Sequence, residues 1–281
     1  MRLKVLGSAS SQGIPQPLCS CILCSEASGK DIRLRTSYLL ESKSGKNILL
    51  DISPDWRQQF LKDGFEFDYL FLSHRHRDHI DGLKDVRVAL EAHDKKRTSF
   101  QKQRTFLLGK TLDSWLRNGK SDSRWEESVQ QAYQQLLSKG FFKRTILTPL
   151  KILNSKPKIE FIYIRGKHGE FYCGGLVILE EGKSLVYLAD ISQLNGKLVD
   201  FLTKLQPNLT IVHLPFFYKP KLKREAARHS GVENAKKLPG KKILISHFSH
   251  RVKLKHEELV KRAKKIDTRF IVAYDNQEIA I

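Results

Sequence analysis

The segment Tyr69-Leu70-Phe71-Leu72-Ser73-His74-Arg75-His76-Arg77-Asp78-His79-Ile80-Asp81-Gly82 opens as a short apolar run, then crowds three imidazoles and a carboxylate into six residues. A buried strand ending in a tight turn accounts for both halves of the pattern. Where the strand's alternation lapses, the turn aims His74, His76, Asp78 and His79 at one or two borderline-soft divalent ions. Arg75 and Arg77 then point to the other side. Isolated histidines are ordinarily surface or core residues, but four potential ligands at this spacing mark a metal or catalytic site.

Upstream of this loop, the apolar runs Leu3–Gly7, Ser37–Glu41 and Asn47–Asp51 alternate with turn signals and are expected to be strands. Ser53 as N-cap and Pro54 at the first helical position open a helix toward Leu61, and Asp81 to Ala92 continue helically after the histidines. Residues Asp94 to Arg104 are polar and basic and are expected to form an exposed loop, with helices over Thr111–Leu116 and Glu126–Lys139. Strands are expected at Ile159–Ile164, Gly174–Leu179, Leu185–Ala189, Leu209–His213 and Lys242–Ser246, the last preceded by a helix over Gly231–Leu238. Neither an internal repeat nor a low-complexity segment interrupts the chain. Three later polar residues, His168, Asp190 and His247, fall where strands give way to loops, the usual place for chemistry in α/β folds. His213 also ends a strand and is an outside candidate.

At 281 residues, 40% hydrophobic and 28% charged, the composition is that of a soluble globular chain. No segment approaches the ~18 uninterrupted apolar residues of a membrane span, and the apolar run at Leu3 is too short for a secretory signal. A cytoplasmic protein without a membrane partner is expected. Fifty basic against thirty acidic side chains leave a formal +20, concentrated in Lys95–Arg104, Lys219–Arg224, Lys236–Lys242 and Arg251–Lys265. Such a field favours an anionic, phosphate-containing small molecule and leaves room for nucleic acid. Cys19, Cys21 and Cys24 lie within six residues, too close for a disulfide framework and well spaced for a structural zinc that needs a fourth ligand. Cys173 stands alone and is expected to be an inert core residue.

Together these residues resemble the metallo-β-lactamase-fold hydrolases. The resemblance implies an α/β four-layer αββα sandwich of two mixed β-sheets flanked by helices, a single domain over residues 1–281 with a divergent helical segment at about 94–158. It implies two divalent ions, zinc or manganese: His74, His76 and His168 would hold one, Asp78, His79 and His247 the other, with Asp190 bridging. More narrowly, Gly7-Ser8-Ala9-Ser10-Ser11-Gln12-Gly13-Ile14-Pro15 followed by Cys19-Ser20-Cys21-Ile22-Leu23-Cys24 is similar to the opening of the phosphoribosyl cyclic phosphodiesterases of the carbon-phosphorus lyase pathway. That family implies His250 as the fourth ligand of a structural zinc and His229 as the group that assists the leaving group.

The activity so implied is hydrolysis of a small cyclic phosphate or nucleotide-like phosphodiester, with Asp78 orienting the nucleophile and His229 protonating the departing alkoxide. The metal set and the late histidine are also similar to the tRNA 3′-processing endoribonucleases, which the +20 charge would suit, although no long glycine- and proline-rich arm is present. The opening, including Ser53-Pro54-Asp55 and Gln58-Gln59, also resembles the accessory protein of pyrroloquinoline quinone biosynthesis. In that relative the histidine loop is degraded; here it is intact, which favours an enzyme over a non-catalytic binder. A homodimer is compatible with all of these.

Overall fold

The computed structural model describes residues 1–94, 102–155, 158–192, 196–221 and 230–281. One sheet comprises β1 (Arg2–Gly7), β2 (Ser37–Glu41), β3 (Asn47–Leu50), β4 (Tyr69–Leu72), β5 (Arg104–Gly109), β6 (Phe142–Leu147) and β14 (Glu278–Ala280), in the order β14-β1-β2-β3-β4-β5-β6. The other comprises β7 (Ile152–Ser155), β8 (Ile159–His168), β9 (Phe171–Glu180), β10 (Lys183–Leu188), β11 (Leu209–His213), β12 (Lys242–Ser246) and β13 (Phe270–Val272), in the order β13-β12-β11-β10-β9-β8-β7. Each sheet is mixed: β3 to β6 run parallel in the first, and β10 to β13 in the second.

Strand β4 explains its own sequence. Phe71 joins the core between the sheets, whereas Leu70 and Leu72 pack under helices on the outer face. A strand covered on both faces reads as an unbroken apolar run rather than as alternation. The outer face of the first sheet carries α2 (Trp56–Asp63), α4 (Leu83–Asp94), α5 (Lys110–Asn118) and α6 (Arg124–Ser138), anchored by Trp56, Val86, Leu116 and Tyr133. The outer face of the second carries α7 (Gly196–Leu205), α8 (Val232–Ala235) and α9 (His256–Ile266), anchored by Leu202, Val232 and Leu259. Two short helices, α1 (Ile22–Ser25) and α3 (Arg77–Ile80), lie in the loops above the sheets. This is the four-layer αββα sandwich expected.

Several local expectations change. Helix α2 begins at Trp56, two residues beyond the expected start at Pro54, while Ser53 Oγ accepts from Asp55 N (3.2 Å), as an N-cap does, and from Gln59 Nε2 (3.3 Å). The helix expected over Gly231–Leu238 contracts to the single turn α8, followed by irregular turns. Of the expected basic loop Asp94–Arg104, residues 95–101 lie outside the described residues, and at Arg104 the chain is already the buried strand β5. The 94–158 stretch, expected to be helical, supplies α5 and α6 but also β5, β6 and β7. The three-residue strands β13 and β14 are too short to leave a period in the sequence.

A buried polar cluster ties the chain's opening to its end. The Arg33 guanidinium donates to Ser8 Oγ (2.9 Å), the Ala273 carbonyl and His256 Nδ1 (3.0 Å), while Asp275 accepts from Leu34 N (2.6 Å) and Ser8 Oγ (2.7 Å). Because the guanidinium only donates, His256 must present a bare Nδ1. Burial and the Arg33 charge accordingly push the His256 imidazole down to about 4. The folded state therefore rejects a proton that the unfolded chain accepts near pH 6.5, so this group's contribution to stability is present above that pH and is lost as pH falls toward 4. Thermal unfolding followed between pH 7 and pH 4 should show a steeper loss of stability in the wild type than in His256→Gln. Parallel pH profiles for the two proteins would exclude this linkage.

Candidate metal centre

The parallel strands end together at one rim, and the polar residues read from the sequence collect there. His74 and His76 leave the end of β4, α3 presents Asp78 and His79 on one turn, and His168, Asp190 and His247 follow β8, β10 and β12. Gly82 lets this loop settle against the segment after β3, where a Cβ would collide with the Ser53 carbonyl oxygen.

The hub beneath the site is Asp51, wholly buried, with φ of 57° at the end of β3. Its carboxylate accepts four hydrogen bonds: Ser73 N (2.7 Å), Ser73 Oγ (2.7 Å), His79 Nδ1 (2.7 Å) and Tyr187 Oη (2.6 Å). With its proton committed to Asp51, Ser73 Oγ can only accept from His74 Nδ1, 2.9 Å away. The same logic holds across the site. Thr36 Oγ1 donates to the Ala9 carbonyl (2.8 Å) and so accepts from His247 Nδ1 (2.9 Å). Three imidazoles are thereby fixed with Nδ1 protonated at the rear and Nε2 facing the centre.

At the centre the Nε2 atoms meet two carboxylates without bonding to them. His74, His79 and His168 Nε2 stand 3.7, 3.7 and 3.8 Å from Asp190 Oδ2, and His247 Nε2 stands 3.5 Å from Asp190 Oδ1. Asp78 Oδ2 lies 3.5 Å from His79 Nε2 and 3.6 Å from His247 Nε2. These separations exceed hydrogen-bond length, and His79 Nε2 is buried with no partner at all. Burial alone would lower the His79 imidazole, but Asp78 and Asp51 hold it up to about 10, so the carboxylates demand positive charge at this point. Asp190 is held well below the usual carboxylate range against its own burial by His247 and His213.

His213, the outside candidate, is drawn into the same cluster. Its Nδ1 lies 2.9 Å from Asp190 Oδ1 and its Nε2 3.2 Å from Tyr38 Oη, so one ring nitrogen orients the aspartate while the other holds the ring in place. Ligand atoms of His74, His76, His168 and Asp190 lie within 4.8 Å of one another, as do those of His79, Asp190, His213 and His247. His229 lies outside the described residues. The Arg75 guanidinium lies 4.7 Å from the Phe171 ring and 5.9 Å from Trp115, whereas Arg77, expected on the other side, pairs with Asp81 at 3.2 Å and lines the same cavity as the histidines. The residues that sequence reasoning missed are Asp51, Ser73, Thr36 and Tyr187. Only Asp51 carried a usable signal, an aspartate ending a strand like Asp190.

A second cluster gathers Cys19, Cys21, Cys24 and His250 within 4.8 Å. The His250 Nδ1 atom lies 3.2 Å from Cys19 Sγ and 3.7 Å from Cys21 Sγ; its hydrogen bond lowers the Cys21 thiol to about 6, whereas burial raises Cys24 to about 11. Cys173 is buried in the core and burial pushes its thiol well up. Over the histidine site opens a cavity of about 530 Å³, lined beside His76, His168 and His247 by Ser10, Gln12, Arg77, Phe216, Ser249 and Arg251. Among the described residues, no helix is long and apolar enough to cross a membrane.

The sandwich and its rim of histidines and aspartates define a metallo-β-lactamase-fold protein, of the hydrolase superfamily that shares this architecture. Among solved structures, a diphosphatase of the PhnP family superposes over 100% of this chain and 97% of its own (TM-score 0.75, 25% identity). Zinc-bound PqqB from Methylobacterium extorquens covers 100% of both chains (TM-score 0.74, 16% identity), and the short form of human tRNase Z covers 100% and 99% (TM-score 0.68, 17% identity). Residues 25–266 match the family of the anti-Pycsar protein Apyc1, and the chain belongs to that family. An octanoyltransferase of Porphyromonas gingivalis is 45% identical over 89 residues, 31% of this chain and 18% of that protein. Coenzyme PQQ synthesis protein B of Methylorubrum extorquens is 43% identical over 63 residues, 21% of each. The chain thus spans about a fifth of the length of these curated relatives.

If Asp51 organises the site, its removal should cost far more than the loss of any one of its donors. Tyr187→Phe should lower stability by about 1 kcal/mol, and Asp51→Ala by about 3 kcal/mol or more, since it strands several buried donors. Urea unfolding measures both, and equal small losses would count against the hub.

Proposed function

We propose that the chain is a metal-dependent phosphodiesterase acting on a small cyclic phosphate or nucleotide-like phosphodiester. The observation that carries this is the orientation of the imidazoles: His74, His79 and His247 are each tied down at Nδ1, so that their Nε2 atoms converge with the Asp78 and Asp190 carboxylates. Two ligands about 2.0–2.1 Å from one ion at tetrahedral or wider angles sit about 3.3–3.8 Å apart, the range of the observed separations. His74, His76 and His168 would hold one ion, Asp78, His79 and His247 the other, and Asp190 would belong to both. When bound, two divalent ions of the zinc or manganese kind lower the pKa of water to supply hydroxide near neutral pH, and screen the charge on phosphate oxygens.

The protein's own groups do the rest. Asp78, at 7% exposure on the cavity floor, can accept from the attacking water and orient it. Arg77 and Arg251 on the cavity wall oppose the phosphate charge, and His229 keeps the leaving-group role that the sequence resemblance gives it. A phosphate ester is further supported by the PhnP-family diphosphatase at 25% identity. Cys19, Cys21, Cys24 and His250 would hold a separate structural zinc, for which a thiol already lowered to about 6 is well suited.

Metal analysis of the purified protein, with assays on bis-(p-nitrophenyl) phosphate, cyclic nucleotides, ribosyl cyclic phosphate and precursor tRNA, tests this. His74→Ala should remove about one ion and lower turnover by roughly three orders of magnitude. Retained metal and turnover in that variant would rule out the dinuclear site. Separately, Cys21→Ser should release about one zinc per chain and lower thermal stability while sparing the catalytic pair, because zinc binding is coupled to folding. Unchanged zinc content would remove the thiol cluster from consideration.

A further inference from the structure

We propose that the face formed by the 215–221 loop, α8, the turn at His250–Val252 and α9 is a docking surface for single-stranded nucleic acid, leading into the histidine cavity. These segments form one surface. Val232, Ala235, Phe217, Leu259 and Ala263 share a hydrophobic cluster over the second sheet, Val232 N donates to the Phe217 carbonyl (2.9 Å), and the Tyr218 hydroxyl interacts with Arg262 on α9.

The surface carries many more cations than anions. Exposed side chains on these segments include Lys219, Lys221, Lys236, Lys237, Arg251, Lys253, Lys255, Lys261, Lys264 and Lys265, against the exposed acids Glu233 and Glu257. Among the described residues, the acids there are largely committed: Glu258 to Arg262 (2.8 Å) and Asp267 to Arg269 (2.6 Å), while Lys255 reaches outside the face to Glu26 (2.7 Å). No ion pair with a described carboxylate is made by Lys236, Lys237, Lys253, Lys261 or Lys265. The helical layer over the first sheet is different. There Lys84 pairs with Asp81, Arg87 and Lys139 with Glu91, and Arg117 of α5 and Arg144 of β6 with Asp113, while Arg57, Lys62, Lys110 and Arg124 make no ion pair with a described carboxylate. Among the described residues, this face therefore carries a local surplus of cations.

Three features select the partner. From Arg251 at the cavity mouth, the cations continue along α9, whose eleven residues span about 16 Å. That is longer than one mononucleotide and suits a run of several backbone phosphates. Next, aromatic rings sit where the stripe meets the cavity: Phe216 lines the cavity wall, and Tyr218 is 49% exposed two residues on. Unpaired bases stack on such rings, whereas paired bases are closed to them. Finally, α9 turns Leu259 and Ala263 into the core, packs the partly buried Val260 and Ile266 against it, and fully exposes only Glu257, Lys261, Lys264 and Lys265, so its outer face is polar rather than the apolar face that enters a bilayer. Electrostatic contact with phosphates, supplemented by stacking, is the chemistry this face offers.

The test uses the full chain and a fluorescein-labelled 20-nucleotide single-stranded RNA, with anisotropy measured from 0.05 to 0.3 M salt. Micromolar binding is expected, with a log–log salt slope of about −2 to −3 for three to four neutralised phosphates. The quadruple variant Lys253→Gln, Lys261→Gln, Lys264→Gln, Lys265→Gln should bind at least tenfold more weakly with a flatter slope, and should hydrolyse bis-(p-nitrophenyl) phosphate at the wild-type rate. Tyr218→Leu should weaken binding several-fold without altering the slope, while Tyr218→Phe binds as wild type. Equal RNA affinity in the wild type and the quadruple variant overturns the proposal, and so does tighter binding to phosphatidylserine vesicles than to the oligonucleotide. Docking is read independently of turnover, so an inactive protein that binds RNA refutes the phosphodiesterase function and leaves this surface standing.

Discussion

The Asp51 carboxylate is the point on which the site depends. It is wholly buried, and its desolvation is offset by the four donors that converge on it. The same bonds set the direction of the groups that make them. His79 is held directly, His74 through the Ser73 hydroxyl, and Tyr187 brings the opposite sheet into the arrangement. A charge that would be costly alone thus becomes the reference for both sheets and for the histidine loop.

The fold supplies that convergence through strand direction. In both sheets the strands nearest the site run parallel, so their carboxyl ends open on one rim. Loops leaving that rim can carry polar side chains without disturbing the apolar layers below. The two sheets contribute complementary parts, with His74, His76, Asp78 and His79 from the first and His168, Asp190 and His247 from the second. Thr36, after a segment bridged to Ala9, completes the set by holding His247 from behind. The thiol cluster follows the Ser10–Gln12 part of the cavity wall in the chain, and its His250 lies beside Ser249 and Arg251 of the same wall.

Charge is distributed by the same layering. Over the first sheet Lys84, Arg87 and Arg117 are answered by carboxylates, whereas on α9 only Arg262 has such a partner among the described residues. Net charge is a property of composition, but its field at the cavity mouth depends on which layer carries the surplus. Here the surplus lies on the layer that contains Arg251.

Sequence by itself determined the ligand loop, the thiol cluster and most strands of the sandwich, because these are written in short-range spacing and in apolar runs of strand length. It also pointed to His168, Asp190 and His247, each of which ends such a run. Strands β5 and β6 were less legible because one follows a basic stretch and the other carries exposed Lys143 and Arg144 among its apolar residues. Tertiary structure alone decided how the imidazoles are oriented. The bonds that fix them join Asp51 to His79, Tyr187 to Asp51 and Thr36 to His247, separations of 28, 136 and 211 residues. No local period records contacts at that distance. For the same reason His213 could be seen at a strand end, yet its bridging of Asp190 through Nδ1 and Tyr38 through Nε2 became visible only when β10, β11 and β2 were brought together.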